Sequence, residues 1–158
     1  MPKKTFILDE NCLILAAKGI NIKMEKSIAP LRLICTILDN CHKLGISPKL
    51  RKIYERKLDD FKENTPHGGT ISKLIHGSLL NLDKIREGTP LALSDDEENC
   101  FHHKDLHLVR LAAALKGILV SEDTRLTKNP QQAEIMMNSR KFQILSISKA
   151  IQESQSEC

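Results

Sequence analysis

Leu106-His107-Leu108-Val109-Arg110-Leu111-Ala112-Ala113-Ala114-Leu115-Lys116-Gly117-Ile118-Leu119-Val120-Ser121 is the stretch that decides the fold class. Its first part is apolar on nearly every side of a helix, expected over 103–116, and such a helix is buried. Gly117 stops it. Ile118-Leu119-Val120-Ser121 then reads as a short strand covered on both faces. A buried helix feeding a two-sided strand points to a parallel sheet between helices. Thr5-Phe6-Ile7-Leu8 and Phe142-Gln143-Ile144-Leu145 repeat the strand pattern. Helices are expected over 11–17, 26–44, 71–85, 129–138 and 148–152. Another starts at Ser47-Pro48, an N-cap followed by a first-turn proline. Its apolar stripe is Leu50, Ile53, Tyr54, Leu58 and Phe61. The expected architecture is a three-layer α/β/α sandwich with a short parallel sheet.

With 158 residues, the chain is expected to form a single domain over 1–152 with a polar tail over 153–158. Hydrophobic residues make up 41%, enough for a packed core, but aromatics only 3%, with no Trp and one Tyr. The core must be aliphatic, and an aromatic base-stacking platform has almost nothing to be built from. The net charge of +4 is compatible with an anionic partner. Lys43, Lys49, Arg51, Lys52, Arg56, Lys57 and Lys62, opposed by Glu55, Asp59 and Asp60, carry that surplus; the run Ser94-Asp95-Asp96-Glu97-Glu98-Asn99, within an acidic loop over 88–100, is the counterweight. Five cysteines form no CxxC pair and are expected as reduced thiols of a cytoplasmic protein. No apolar run suits a secretory h-region or a membrane span.

Two of the three strands lead into carboxylates, at Asp9 and at Asp123. Adjacent parallel strands lie about 4.8 Å apart, so these residues are expected to face each other at the carboxyl edge, where ligands of such sheets bind. Asp105 opens the buried helix and must sit at its rim. Three converging carboxylates repel one another unless a cation lies between them or some are protonated. Hard oxygen donors suit Mg²⁺ or Mn²⁺, and such a cation supports phosphodiester hydrolysis by a metal-bound water.

Phe6-Ile7-Leu8-Asp9-Glu10-Asn11 resembles the opening of the PIN domain family, where a strand delivers an Asp-x-Asn. The stretch Asp105 to Asp123 is similar to that family's Asp-led helix, strand and Ser/Thr-x-Asp. Residues 142–151 resemble its closing strand and short helix. The resemblance covers roughly a third of the chain. It implies a metal-dependent ribonuclease, with metal ligands at Asp9, Asp105 and Asp123 and hydrogen-bonding support from Asn11 and Ser121. Toxins of toxin–antitoxin pairs and RNA-processing nucleases both belong to the family, so an antitoxin partner is among its implications. The family's fourth acidic residue is assigned to Glu55. The long connection from Thr65 to His102 departs from the small toxins.

The helix carrying Lys49, Arg51, Lys52, Arg56 and Lys57 is expected to contact RNA phosphates if it flanks the acidic site, and is otherwise a solvated face. Apolar surface over 71–85 and 26–44 leads to the expectation of a homodimer. Three alternatives compete. Cys100, His102, His103 and His107 suggest a zinc site but lack a second ligand pair. A catalytically silent PIN-like module would bind RNA or protein without cleaving. A phosphatase-like or nucleotide-binding protein would need a Gly-rich loop after Asp9, and none follows.

Overall fold

The structure is a computed structural model that describes residues 3–156. Five parallel strands form one sheet: β1 (Thr5–Leu8), β2 (Lys43–Ile46), β3 (Ile85–Glu87), β4 (Ile118–Val120) and β5 (Gln143–Leu145). Eight helices connect and follow them: α1 (Glu10–Lys18), α2 (Ala29–Asp39), α3 (Pro48–Phe61), α4 (Gly68–Leu79), α5 (Asp95–Glu98), α6 (Leu106–Leu115), α7 (Pro130–Arg140) and α8 (Ile147–Ser154). The result is the α/β/α sandwich expected from sequence.

The strand order is β3-β2-β1-β4-β5. The chain builds outward from β1 to β3, then returns to lay β4 on the other side of β1. The point where the winding reverses therefore lies between β1 and β4, and open α/β sheets bind ligands in the crevice beyond that point. Phe6, Ile7 and Leu8 pair with Ile118, Leu119 and Val120. All of β1 and β4 is buried because helices cover both faces: α6 packs on β1, β2 and β4, while α1, α2 and α8 pack together and against the strands.

The strands β2 and β3 begin where the helices expected over 26–44 and 71–85 end, and neither strand is expected from sequence. Gly45 directly follows the helix expected over 26–44, a place where glycine commonly ends a helix. It lies instead inside β2, where a Cβ would stand 2.8 Å from Ile7 Cγ1 and 3.0 Å from Thr5 Cγ2. A side chain there would hold β2 away from its neighbour.

Three further expectations change. The acidic loop contains α5, whose capping box of Ser94 and Glu97 starts it. Arg140 grips Glu97 through two bonds of 2.8 Å, and Arg110 pairs with Glu98. The polar tail is shorter than expected: α8 continues through Ser154, Glu153 pairs with Lys4 at 2.5 Å, and Ser154 is fully buried. Cys12, Cys35 and Cys100 are free thiols, but Cys41 is engaged in a disulfide; Cys158 lies outside the described residues.

The apolar faces behind the dimer expectation are largely consumed within the chain. Leu33, Ile34 and Ile37 of α2 pack against α1 and α8, and Ile71 and Ile75 of α4 pack against α1 and α3. What stays exposed is Ile28, Leu80 and Leu82. Among the described residues no helix is long and apolar enough to cross a membrane.

Candidate acidic site

Asp9 is placed by the end of β1 and by three separate anchors. Its backbone N–H donates to Val120 O at 3.1 Å, tying it to β4. Tyr54, fully buried on α3, donates its hydroxyl to Leu8 O one residue upstream. The Cys12 thiol donates to Val120 O at 3.4 Å. Both strand ends at the switch point are therefore fixed by side chains that satisfy their outward carbonyls.

Asp9 is only 5% exposed. Oδ1 accepts the Asn11 N–H at 3.3 Å, which makes Asp9 the N-cap of α1. Oδ2 accepts the Ser121 hydroxyl at 3.1 Å. Ser121 Oγ in turn accepts the Asp123 N–H at 3.1 Å, so one hydroxyl links the two strand-end loops. Asn11 contributes its backbone to Asp9, and its side chain is exposed. Burial pushes the Asp9 carboxyl up from 3.8 to about 6, against the pull of Asn11 and Ser121 and with added repulsion from Asp105 and Glu10.

Asp105 closes a short 3-10 turn, His103–Asp105, and stands at the start of α6 without making a capping bond. Burial raises its pKa, followed by repulsion from Asp123, with His102 and Lys104 pulling the other way. Asp123 is held by a local turn: Oδ1 accepts the Arg125 N–H at 2.9 Å and lies 3.4 Å from Arg125 Nε.

Asp9, Asp105 and Asp123 line one cavity of about 280 Å³ at the carboxyl edge, together with Glu10, Asn11 and His107. The cavity brings together the three carboxylates singled out in the sequence. They share it without closing on one point: among the described residues no group of three His, Cys, Asp or Glu side chains stands at metal-binding distances. The donor chemistry nevertheless fits a hard cation. The carboxylates destabilise one another's charge, and Mg²⁺ keeps several waters and needs only one or two direct carboxylates.

Glu55 is elsewhere. It is exposed on α3 and lines a separate cavity with Arg51, Lys52 and Glu87. It follows the buried Tyr54 by one residue, about 100° around the helix, which turns it away from the acidic cavity. The acidic residue that joins the three aspartates is Glu10, in the first turn of α1. An acidic first-turn residue is so common a dipole partner that its placement there carries no signal of a site. Glu122 accepts the Ile147 N–H at 2.8 Å at the first turn of α8.

The basic residues of α3 divide. Lys49 acts on His107 at the cavity wall: burial first, then Lys49, lowers the imidazole to about 4 and keeps it neutral. The Nδ1 atom of His107 is buried without a hydrogen-bond partner among the described residues. Arg51 is occupied, pairing with Glu87 at 3.1 Å and donating to Leu79 O. Lys52 lines the Glu55 cavity, and Arg56 is exposed and Lys57 half-buried further along the helix. The residues proposed for zinc do not assemble. His102 and His103 stack at 4.9 Å, while the buried Cys100 donates its thiol to Asp96 O.

The sequence matches no protein-family model and no curated protein.

Proposed function

We propose that this chain is a divalent-metal-dependent ribonuclease of the PIN family, acting in the cytoplasm on unpaired RNA. The observation that carries the reading is the convergence of Asp9, Asp105 and Asp123, from three separate loops, on one cavity at the switch point of a parallel sheet. Asp9, raised to about 6 chiefly by burial, with Asp105 and Glu10 alongside, is a carboxylate whose charge is poorly stabilised by its surroundings. A bound cation or a proton would stabilise it.

Asp9, Asp105 and Asp123 are the residues that would hold Mg²⁺ or Mn²⁺, with Glu10 beside them. When bound, such a cation polarises a phosphate and makes water a better nucleophile. The protein's own groups do the remaining work. Ser121 and the Asn11 N–H fix the Asp9 carboxylate in one orientation. His107, neutral and flanked by Lys49, offers a polar wall that adds no charge of its own. Lys49, Lys104 and Arg125 supply phosphate contacts at the rim, which position a strand without reading its sequence. The same chemistry serves a toxin with an antitoxin partner and an RNA-processing enzyme.

The test is cleavage of an unstructured RNA with Mn²⁺ and with chelator, comparing wild type with Asp9→Asn. Metal-dependent cleavage lost in Asp9→Asn supports the reading; cleavage indifferent to both defeats it. The open spacing of the carboxylates favours one second reading, a catalytically silent RNA-binding module. That reading predicts RNA binding without cleavage and no heat on Mn²⁺ titration.

A further inference from the structure

Beside the acidic cavity lies a second, apolar one that shares Asn11, Asp123 and Arg125 with it. Its floor is Ile14 and Leu15 of α1, and its outer wall is Ile22. Ile22 is 55% exposed, although an isoleucine at this position gains nothing from water.

The loop that presents Ile22 is rigidly built. Ile20 and Lys26 form an antiparallel bridge. Within it, Asn21 Oδ1 accepts the N–H groups of Lys23 at 2.9 Å and Glu25 at 3.1 Å. The Asn21 N–H donates to Glu25 O at 2.9 Å. Met24 sits at the tip in the left-handed region, φ +65°, and is 74% exposed. A non-glycine residue held there costs free energy that the surrounding bonds must offset. The loop thus spends backbone strain to hold apolar side chains in solvent next to a charged cavity. Across the shared rim stands Arg125, 88% exposed and oriented by Asp123.

We infer that the Ile14–Leu15–Ile22 shelf receives a nucleobase of the RNA strand, the one adjoining the phosphate held at the acidic cavity, while Arg125 contacts the linking phosphate. This inference rests on the ribonuclease reading and deepens it by naming where the chain holds a base of the strand. A base reaches the shelf only when it is unstacked and unpaired, so the strand must be single at that nucleotide. The shelf is aliphatic, as a chain almost without aromatics requires, and gains by covering apolar area rather than by ring stacking. Such contact accepts every base, since each has an apolar face. Continuity with the acidic cavity favours a nucleotide over a protein segment: the shelf shares Asn11, Asp123 and Arg125 with that cavity, and its other carboxylate, Glu122, is engaged by the Ile147 N–H.

The test is a methyl NMR titration of the whole chain in chelator, so that no cleavage occurs. The probes are a five-nucleotide unstructured RNA and a ribose-phosphate pentamer of the same length without bases. The shelf predicts that the Ile14, Leu15 and Ile22 methyls move with the RNA and not with the baseless strand. It also predicts that Ile22→Asn, a change at an exposed position, weakens RNA binding about tenfold, as loss of one apolar contact of this size should. If the Arg125 and Asn11 amides respond while the three methyls stay still, the shelf is wrong and the ribonuclease reading stands. If the methyls move equally with the baseless strand, no base occupies the shelf. Methyl shifts that follow protein concentration without RNA would assign the shelf to a second copy and overturn the inference. If nothing responds to RNA and Mn²⁺-dependent cleavage is also absent, both readings fall.

Discussion

Asp9→Asn should stabilise the metal-free protein near neutral pH and lose that advantage in acid. The Asp9 carboxyl is buried, and its pKa rises from 3.8 to about 6. That shift corresponds to ~3 kcal/mol between the charged and neutral forms. The folded chain therefore binds this proton more tightly than the unfolded chain. Stability from this group is fully present below about pH 4, falls as pH rises, and is gone above about pH 6. Asparagine keeps the shape without the charge. Its carbonyl still accepts the Asn11 N–H, and its amide donates to Ser121 Oγ in place of accepting from it. Reversing that bond costs about 1 kcal/mol. The net gain is ~2 kcal/mol at about pH 7.5, or roughly 4–8 °C in Tm for a chain of this size. Urea unfolding in chelator at about pH 7.5 and pH 4 measures both ends of the window. A variant equally displaced at the two pH values, or destabilised at the higher one, would refute the account of Asp9 as a buried, repelled carboxylate.

Asp105→Asn should behave alike on a smaller scale, neutral or stabilising in chelator, since Asp105 makes no capping bond and is repelled by Asp123; strong destabilisation by calorimetric melting would make it a structural cap. Gly45→Ala should cost about 1–3 kcal/mol by urea unfolding, the usual cost of overpacking, because the added Cβ meets Ile7, Thr5 and Leu115 within the sheet. Glu97, held down to about 2 by Arg140, contributes stability above about pH 4.5 that is lost as pH falls toward 2. Arg140→Ala should flatten that acid dependence while costing at most ~1 kcal/mol at neutral pH, because the pair is partly in solvent. If α3 tracks RNA, Lys49→Ala should lower the slope of log affinity against log salt by about 0.7, whereas Arg51→Ala should change it less because Glu87 already neutralises Arg51.

The central strands were legible because burial on both faces leaves no polar residue in Phe6-Ile7-Leu8 or Ile118-Leu119-Val120, a pattern no surface helix can carry. The inner strand β2 was hidden by coincidence of period. Leu38, Cys41 and Leu44 prolong the three-and-four spacing of α2, and Gly45 ends a helix as plausibly as it lets two strands close up. The edge strand β3 buries only Ile85, so Arg86 and Glu87 look like loop. Without β2 and β3 the winding order is unreadable, and so is the switch point. The carboxylates Asp9 and Asp123 were still found, because a charge directly after a buried strand has only the sheet edge to occupy. Glu55 lies away from the three aspartates because the apolar stripe of α3 shows which face is buried but not which flank of that stripe meets the acidic cavity: Leu50 and Ile53 line it, and Glu55 is on the other flank. The shelf at Ile22 depends on a loop whose shape is set by one asparagine, a signal too local to stand out from sequence.

Calorimetric titration with Mn²⁺ at neutral pH is the most direct test of the central claim, that Asp9, Asp105 and Asp123 form one divalent-cation site. The wild type should show a single binding event, weakened at least tenfold in Asp9→Asn, Asp105→Asn and Asp123→Asn alike, and unchanged in Glu55→Gln. Binding that survives the three aspartate variants, or a wild-type protein that takes up no Mn²⁺ at all, would contradict it.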